Sequence, residues 1–207
     1  RALTGRVKPH QRIILQELLR QIDSLNASIA ELEAQIAKHC LPFEEAVRRA
    51  DTITGISERT AQAIIAEIGS DMSRFPTGGH LSAWAGVAPG NHESAGKRLS
   101  GRSRQGNKAL KRVLTEAAWA AARTRNTYLS ALYRRIAARR GKKRAIIAVA
   151  RTILVALYHM LKKGEDYKEL GGNYFDERNA ESRIKVYTKR LQQLGCDVQV
   201  TPHALAA

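Results

Sequence analysis

The residues whose types could carry out chemistry lie close together in a glycine-rich segment at positions 94–104. Ser94 opens this segment, and four basic residues follow it, Lys97, Arg98, Arg102 and Arg104. A serine that attacks a phosphodiester needs a group that takes its proton, close approach to the backbone, and positive charge around the transition state. The segment supplies the last two but no base. These residues alone therefore favour a phosphate-binding loop first and a nucleophile loop second.

Other side chains near this segment are weaker candidates. Ser100 and Ser103 are runner-up nucleophiles, although hydroxyls that bind phosphate or solvent are the better interpretation of both. His92 and Glu93 are adjacent, but a Ser-His-acid triad is defined by geometry in space, and sequence neighbours rarely form one. The histidines show no metal-ligand spacing with the two cysteines, so the sequence predicts no metal site in this chain.

Charge is segregated along the chain. Residues 97–151 hold 17 of the 35 Lys and Arg but only one of the 19 Asp and Glu, so the whole formal net charge of +16 belongs to them. A solvated protein surface normally mixes both signs, whereas such a patch indicates a polyanion bound through its phosphates with steep salt dependence. We expect further nucleic-acid contacts from the start of one helix and from a basic turn between two helices. The residues concerned are Lys108, Lys111, Arg112, Arg139, Arg140, Lys142, Lys143 and Arg144.

Composition narrows the class of protein. The 207 residues are 43% hydrophobic, too many for a disordered basic tail, and 5% aromatic, few for a β-sandwich or barrel. Two distant cysteines, Cys40 and Cys196, exclude a disulfide scaffold and fit a reducing cytoplasm. The longest apolar run, 145–161, contains Arg151 and falls short of the roughly 20 residues of a membrane span. It predicts a buried helix and no membrane partner.

The N-terminal element of the chain is predicted to be a long helix with a heptad seam. Its apolar residues alternate at spacings of three and four, which predicts a helix of about 30 residues and roughly 45 Å. Mainly Ile at one core position and Leu at the other suit a parallel two-stranded coiled coil, while an antiparallel hairpin with another segment uses the same seam. An amphipathic helix packed on its own domain is the alternative. The seam residues are Leu15, Leu18, Ile22, Leu25, Ile29, Leu32 and Ile36.

Residues 53–68 resemble a helix-hairpin-helix motif. Ile53 precedes a hairpin at Gly55 and Ser57, and apolar residues then recur at helical spacing. A glycine turn leaves backbone amides free at a helix N-terminus, where they can bind a DNA phosphate. Gly55 and Ser57 are therefore candidate nucleic-acid contacts. A plain pair of helices with Gly55 at the turn is equally consistent with the pattern.

Helices are predicted on both sides of the glycine-rich segment that carries Ser94. We expect one at 80–88, with Leu81 and Trp84 facing a core, and a structureless loop at 89–106. Two further helices follow, capped by Asn107 and Thr127, and the second ends at Gly141.

An apolar helix at 145–163, a charged helix at 177–194 and one short strand at Val198 and Val200 complete the prediction. Trp84 and Trp119 have Leu or Ala neighbours at helical spacing, so we expect them in the core rather than as base-stacking platforms. The patterns together predict an all-α fold. It comprises a long coiled-coil helix at 1–41, a compact helical domain at 42–175 with a helix-hairpin-helix-like motif and a basic loop, and a C-terminal helix and tail at 176–207.

A resemblance to a known family rests on several motifs in a fixed order. The chain contains Ile-Thr-Gly-Ile at 53–56, Trp-Ala-Gly-Val-Ala-Pro-Gly-Asn at 84–91, Ser-Ala-Gly-Lys at 94–97 and Gly-Asn-Lys-Ala-Leu at 106–110. It resembles the C-terminal half of the insertion-sequence transposases of the IS-one-ten and IS-eleven-eleven group, which are related to Piv-type DNA invertases and bridge-RNA-guided recombinases. The long helix is similar to the family's coiled-coil linker, and Cys-Asp-Val-Gln-Val-Thr-Pro at 196–202 is similar to its usual ending.

The resemblance implies a mechanism. Members similar to this chain join an N-terminal RuvC-like domain, which binds Mg²⁺ through acidic residues, to a C-terminal domain whose serine becomes covalently linked to DNA; some are guided by a structured bridge RNA. That serine falls on Ser94, and Lys97 and Arg98 would sit at the scissile or neighbouring phosphates. The chain starts at Arg1 and has no acidic cluster spaced like the family's N-terminal half. We therefore expect half of an active site here, with Mg²⁺ in the missing domain.

These inferences combine into one functional prediction. The chain is expected to be the catalytic C-terminal part of a bacterial, cytoplasmic and nucleoid-associated DNA transposase or recombinase, inactive alone. Its expected partners are DNA, a structured guide RNA and a second copy of the chain, joined as a homodimer or higher homo-oligomer through the coiled coil. The alternative is a non-catalytic dimeric nucleic-acid-binding adaptor, and a structural RNA-binding protein is a third reading.

Overall fold

The computed structural model of the chain describes residue 5, residues 7–178 and residues 180–199, without the side chains of His92, Arg98, Leu99 and residues 181–183. The described chain is helical apart from one small hairpin, which confirms the predicted all-α class. It divides into two units, Arg1–Glu44 and Glu45–Ala207.

The elements follow one another with short connections. In chain order they are α1 (Pro9–Cys40), a 3-10 turn (Leu41–Phe43), α2 (Glu44–Asp51), α3 (Glu58–Ile68), a 3-10 turn (Met72–Arg74), α4 (Gly78–Trp84), β1 (His92–Ser94), β2 (Lys97–Ser100), α5 (Lys108–Arg123), α6 (Tyr128–Arg140), α7 (Lys142–Lys163), α8 (Tyr174–Arg178) and α9 (Ala180–Gln193).

The first unit is built on α1, which confirms the predicted long helix. Pro9 stands at its first position, where a missing amide donor costs nothing, and the Lys8 amide donates to Gln11 Oε1 at 2.9 Å. The helix runs for 32 residues and none of them is buried. The heptad seam residues are 47% to 63% exposed. An apolar stripe of this length is therefore open to solvent.

The core of the second unit forms around α7. Ile153, Leu154 and Leu157 are fully buried, and the helix packs on α4, α5 and α6. The predicted buried apolar helix is confirmed, although it begins at Lys142 rather than 145, directly after Gly141 with φ +83°. In the described part of the chain, α7 is the one helix long and apolar enough to cross a membrane, a test that core helices also pass.

Local polar residues begin three of the core helices. Asn107 Oδ1 accepts from the Leu110 amide at 3.0 Å, and Thr127 Oγ1 accepts from the Ser130 amide at 3.2 Å. Both predicted caps are confirmed. Ser57 caps α3 in the same way. Each cap satisfies an amide that the first helical turn leaves without a partner.

Two predictions in the middle of the chain are wrong. Helix α4 occupies Gly78–Trp84 rather than 80–88, because Thr77 Oγ1 accepts from the His80 amide at 3.3 Å and starts the helix earlier. The segment predicted as a structureless loop contains the antiparallel strands β1 and β2. The two strands have three and four residues. Such short strands show no clear alternation of apolar and polar side chains, so the sequence did not predict them.

The prediction that both tryptophans lie in the core is also wrong. Trp84 is 43% exposed and Trp119 is 37% exposed, whereas Leu81, expected beside Trp84, is fully buried. Each indole packs against one other ring, Phe75 at 5.7 Å and Tyr133 at 5.9 Å between centroids. Helical spacing identifies the apolar side of a helix but not how wide the covered stripe is.

The C-terminal segment differs from the single helix expected at 177–194. It forms α8 and then α9, and helical structure already begins at Tyr174 because Tyr174 and Phe175 pack on the Tyr128 ring at 5.3 and 5.2 Å. Val198 is not in a strand, and Val200 lies outside the described residues.

Candidate functional site

The loop between Gly86 and Gly106, which carries Ser94, has two ends that touch. A Cβ added at Gly106 would overlap the backbone of Gly86 and Trp84. The Asn107 amide also donates to the Trp84 carbonyl at 3.3 Å. Gly86 has φ +71°, a conformation that glycine adopts without strain. Glycines from two separate sequence motifs therefore form the neck of this loop.

A second contact closes the loop above the neck. The Gly90 amide donates to the Gly101 carbonyl at 3.3 Å. A Cβ at Gly90 would overlap the Arg102 carbonyl, so only glycine fits there. The strands that follow this contact thus project from a fixed base.

The tip of the loop is a β-hairpin with a two-residue turn. His92 pairs with Ser100, Glu93 with Arg98 and Ser94 with Lys97, with an irregularity between His92 and Glu93. The turn residues Ala95 and Gly96 have φ values of +48° and +74°. Positive φ at both positions is typical of a type I′ turn, whose twist matches that of the strands.

Ser94 lies at the end of β1, beside this turn and directly opposite Lys97. Both side chains are exposed. Directly opposed residues of an antiparallel pair have Cβ atoms about 4.5–5.5 Å apart, so the Lys97 ammonium can reach a phosphate that contacts the serine. Among the described residues, the Ser94 hydroxyl has no hydrogen-bond partner.

The other two serines of the loop are placed differently. The Ser100 hydroxyl accepts from the Arg102 amide at 3.2 Å, which fixes the start of the chain's return to the neck. Ser103 is half-buried. Of the three, Ser94 combines exposure with a hydroxyl that no described residue engages.

The loop presents exposed positive charge beside the serine, at Lys97, and at the base and neck of the hairpin, at Arg102 and Arg104. Lys97, Arg102 and Arg104 are exposed, and in the described part of the chain no carboxylate forms an ion pair with them. The backbone of Arg98 lies in β2, but its side chain lies outside the described residues. Unpaired, exposed cations are available to a phosphate without first breaking a salt bridge.

Asn107 connects the loop to two helices. Its side-chain oxygen Oδ1 caps α5, and its side-chain nitrogen Nδ2 donates to Glu67 Oε2 of α3. Its backbone amide donates to the Trp84 carbonyl at the neck of the loop. The cap was predictable from the residue type, whereas the contact with Glu67 joins residues 40 positions apart and has no local signal. One side chain thus positions the loop relative to α3 and α5.

The first turns of α5 continue the basic surface. Lys108 and Arg112 are exposed and Lys111 is half-buried. Arg112 pairs with Glu116 at 3.8 Å, and the two side chains are 79% and 71% exposed. Such an exposed pair is weak and competes little with a phosphate.

The turn between α2 and α3 is packed against α5. Gly55 has φ +90°, and a Cβ there would lie 2.5 Å from the Ala121 nitrogen and 2.7 Å from the Ala117 carbonyl oxygen. Gly55 and Ser57 line a shallow cleft of about 370 Å³ together with Glu116. Helix packing therefore requires this glycine, and the phosphate contact of Gly55 and Ser57 stays a prediction.

The turn between α6 and α7 concentrates five exposed cations. Arg139 and Arg140 lie in the last turn of α6, where the helix dipole favours positive charge. Lys142, Lys143 and Arg144 occupy the first turn of α7, where the dipole disfavours it. A bound anion would relieve this repulsion. No hydrogen bond or ion pair between described residues joins this turn to the hairpin.

A strap after α7 holds the α2–α3 turn, and nothing in the sequence indicated it. Glu169 accepts from the Thr54 hydroxyl at 3.1 Å and from the Tyr128 amide at 2.6 Å. The Tyr167 amide donates to the Thr52 hydroxyl at 3.1 Å, and burial raises the pKa of the Tyr167 hydroxyl. Two of these three contacts join residues 115 positions apart and the third joins residues 41 apart, so no local pattern predicts them.

A metal ion in a protein is held by several His, Cys, Asp or Glu side chains that lie close together. Among the described residues, no group of three or more such side chains is close enough to hold a metal ion. Lys97, opposite Ser94, can bind and polarise a phosphate. The carboxylate of Glu93 precedes Ser94 in β1 and therefore projects from the other face of the strand, and no described residue accepts a hydrogen bond from the Ser94 hydroxyl.

Comparison with known proteins gives the site its context. Residues 47–134 match the model of a protein family whose description is "Transposase IS116/IS110/IS902 family". The chain is 34% identical over 111 residues to a probable family 20 transposase of Pseudomonas aeruginosa (53% of this chain, 32% of the relative). It is 30% identical over 174 residues to the transposase for insertion sequence element IS1111A of Coxiella burnetii (80% and 45%).

A further relative is the pilin gene-inverting protein of Moraxella bovis, 28% identical over 188 residues (80% of this chain, 58% of the relative). The chain thus spans between 32% and 58% of the length of these three curated relatives. The matched segment includes the hairpin, α3, α4 and α5. The resemblance to insertion-sequence transposases and to an inverting protein is confirmed at this level.

Proposed function

We propose that the chain is the serine-bearing part of a DNA transposase or recombinase that cuts and rejoins DNA through a covalent serine–DNA intermediate. The observation that carries this proposal is the placement of Ser94. It is exposed beside the turn of a hairpin with a fixed base, opposite Lys97, and no described residue engages its hydroxyl. The similarity to transposases and to a gene-inverting protein favours DNA as the substrate.

The proposed step balances as a transesterification. Ser94 Oγ forms a bond to a backbone phosphorus and loses its proton, while the bond from phosphorus to one sugar oxygen breaks and that oxygen leaves as a hydroxyl. A strand hydroxyl later attacks the same phosphorus and releases the serine. Lys97, Arg98, Arg102 and Arg104 stabilise the negative charge on the phosphate oxygens in both directions.

In this proposal, a partner domain supplies the group that takes the proton from Ser94. The resemblance assigns Mg²⁺ to a RuvC-like domain outside this chain, and a bound Mg²⁺ would neutralise phosphate charge and favour the ionised serine. The residues of this chain hold the hairpin and its cations in place. The chain alone is therefore expected to bind DNA without cutting it.

Two further contacts complete the proposed assembly. The turn at 139–144 binds the backbone of DNA or of a structured guide RNA, because it gathers five cations against a helix dipole. The open seam of α1 joins two or more copies of the chain as a coiled coil. Such an assembly would act on chromosomal DNA in a bacterial cytoplasm.

The experiment joins the chain to an N-terminal RuvC-like domain and supplies Mg²⁺, donor and target DNA and guide RNA. A denaturing gel then separates free DNA from a protein–DNA adduct. Ser94→Ala is compared with Ser100→Ala, a matched control in the same hairpin. We expect an adduct with the unchanged protein and with Ser100→Ala, and none with Ser94→Ala.

A measurement of DNA and RNA affinity on the same variants distinguishes the recombinase from the two non-catalytic alternatives. Ser94→Ala should retain DNA affinity within twofold, since the hydroxyl is not a charged contact. If every protein binds DNA and no adduct forms in any lane, the chain is a non-catalytic adaptor. Tighter binding of folded RNA than of any DNA would instead support the structural RNA-binding reading.

A further inference from the structure

Trp119 stands on the solvent face of α5. Its indole is 37% exposed and packs on one side against Tyr133 of α6, with ring centroids 5.9 Å apart and planes tilted by 57°. This contact fixes the orientation of the indole while part of its surface stays in water. The part of the indole that stays in water can stack on another aromatic group.

Basic residues flank this indole along the same face of the helix. Lys108, Arg112, Trp119 and Arg123 are separated by four, seven and four residues, so they share one side of α5. With a rise of about 1.5 Å per residue, Arg112 lies roughly 10 Å before Trp119 and Arg123 about 6 Å after it. All four are exposed, and the one acid among them, Glu116, pairs with Arg112 at 3.8 Å.

A surface with an aromatic ring between cations is suited to binding an unpaired nucleic-acid strand. The phosphates of an unpaired strand follow the positive charges while a base stacks on the ring. A duplex keeps its bases stacked on each other and offers an indole no face. From this juxtaposition we propose that the face of α5 formed by Lys108, Arg112, Trp119 and Arg123 binds an unpaired DNA strand. The choice of DNA over RNA rests on the proposed function.

Trp84 provides a matched control within the same chain. It is 43% exposed and packs against Phe75 with ring centroids 5.7 Å apart and a tilt of 54°, nearly the geometry of Trp119. Its helix, α4, contains no Lys or Arg. Because the chain contains two tryptophans, Trp84→Phe and Trp119→Phe each leave one reporter.

The experiment titrates the full chain with an oligothymidylate and follows tryptophan fluorescence. We expect saturable quenching in Trp84→Phe, which retains Trp119, and little in Trp119→Phe. Filter binding should show Trp119→Ala weakening single-strand affinity by roughly 5- to 150-fold, while duplex affinity is unchanged. Trp119→Phe, which keeps a ring against Tyr133, should restore most of the affinity, and circular dichroism confirms that each variant is folded.

Three results would overturn the proposal. They are quenching of Trp84 but not of Trp119, an equal loss of single-strand and duplex affinity in Trp119→Ala, and tighter binding of oligouridylate than of oligothymidylate. Ser94→Ala should bind the single strand normally. The absence of an adduct in the gel experiment together with intact quenching would therefore reject the serine mechanism and leave the strand-binding face in place.

Discussion

Ala95 occupies a backbone conformation that glycine adopts more readily. Its φ is +48°, and a left-handed conformation costs a residue with a Cβ about 1–2 kcal/mol. Ala95→Gly removes that strain but adds about 0.4–1 kcal/mol of conformational entropy to the unfolded chain. We expect a net stabilisation of the hairpin by up to about 1.6 kcal/mol, measured as slower amide hydrogen exchange in β1 and β2.

Gly96 gives the matched control for this prediction. It has φ +74°, and a Cβ there would meet no atom within 4 Å, so Gly96→Ala adds backbone strain without a clash. This strain outweighs the smaller loss of entropy in the unfolded chain. Hydrogen exchange in the hairpin should become faster in Gly96→Ala. The turn assignment is wrong if the two substitutions shift the exchange rates in the same direction.

Residue types predicted local roles well and long-range roles poorly. Asn107 and Thr127 were identifiable as caps because a cap involves an amide only three residues away. The neck at Gly86 and Gly106 depends on two backbones meeting across 20 residues, and the Glu169 contacts cross far more. Each glycine belonged to a different motif in the sequence, and only the fold shows that they touch.

At the scale of elements, regular helices were the most predictable part. The heptad pattern predicted α1 and the apolar run predicted α7, because both repeat one period over many residues. The hairpin was missed, since its strands have three and four residues and its turn is Ala-Gly rather than Asn-Gly or Asp-Gly. The serine was thus identified from sequence, whereas its rigid support was not.

The open seam of α1 leads to a prediction about assembly. Leu25 is 63% exposed and lies at a core position of the heptad. Leu25→Lys would place a charge inside a coiled-coil interface, which costs far more than placing it in water. We expect sedimentation equilibrium to show an oligomer for the unchanged chain and a monomer for Leu25→Lys.

Ala27 lies on the opposite side of the same helix, two residues further on. Ala27→Lys adds the same charge without entering the seam, so this variant should remain oligomeric. If the unchanged chain is monomeric at all concentrations, or if both variants dissociate equally, the coiled-coil proposal fails.

At the scale of the whole molecule, the distribution of charge is the feature that the sequence reveals most directly. The basic segment at 97–151 supplies cations to the hairpin, to the exposed face of α5 and to the turn between α6 and α7. Because these elements share one stretch of chain, counting charges predicted them together. Counting could not show that Trp119 lies among them, since exposure depends on how α5 packs.

This concentration of charge predicts where the salt dependence of DNA binding originates. Each phosphate contact that is lost should reduce the slope of log K against log salt by about 1. Arg102 is exposed at the return of the hairpin, and no described carboxylate pairs with it. Arg102→Gln should therefore weaken binding to every DNA sequence and flatten the slope by about 1, measured by fluorescence anisotropy over a range of salt concentrations. Lys168→Gln removes the same charge from an exposed position outside the basic segment and should leave the slope unchanged. Equal slopes for the two variants would mean that DNA responds to the total charge of the protein rather than to the basic segment.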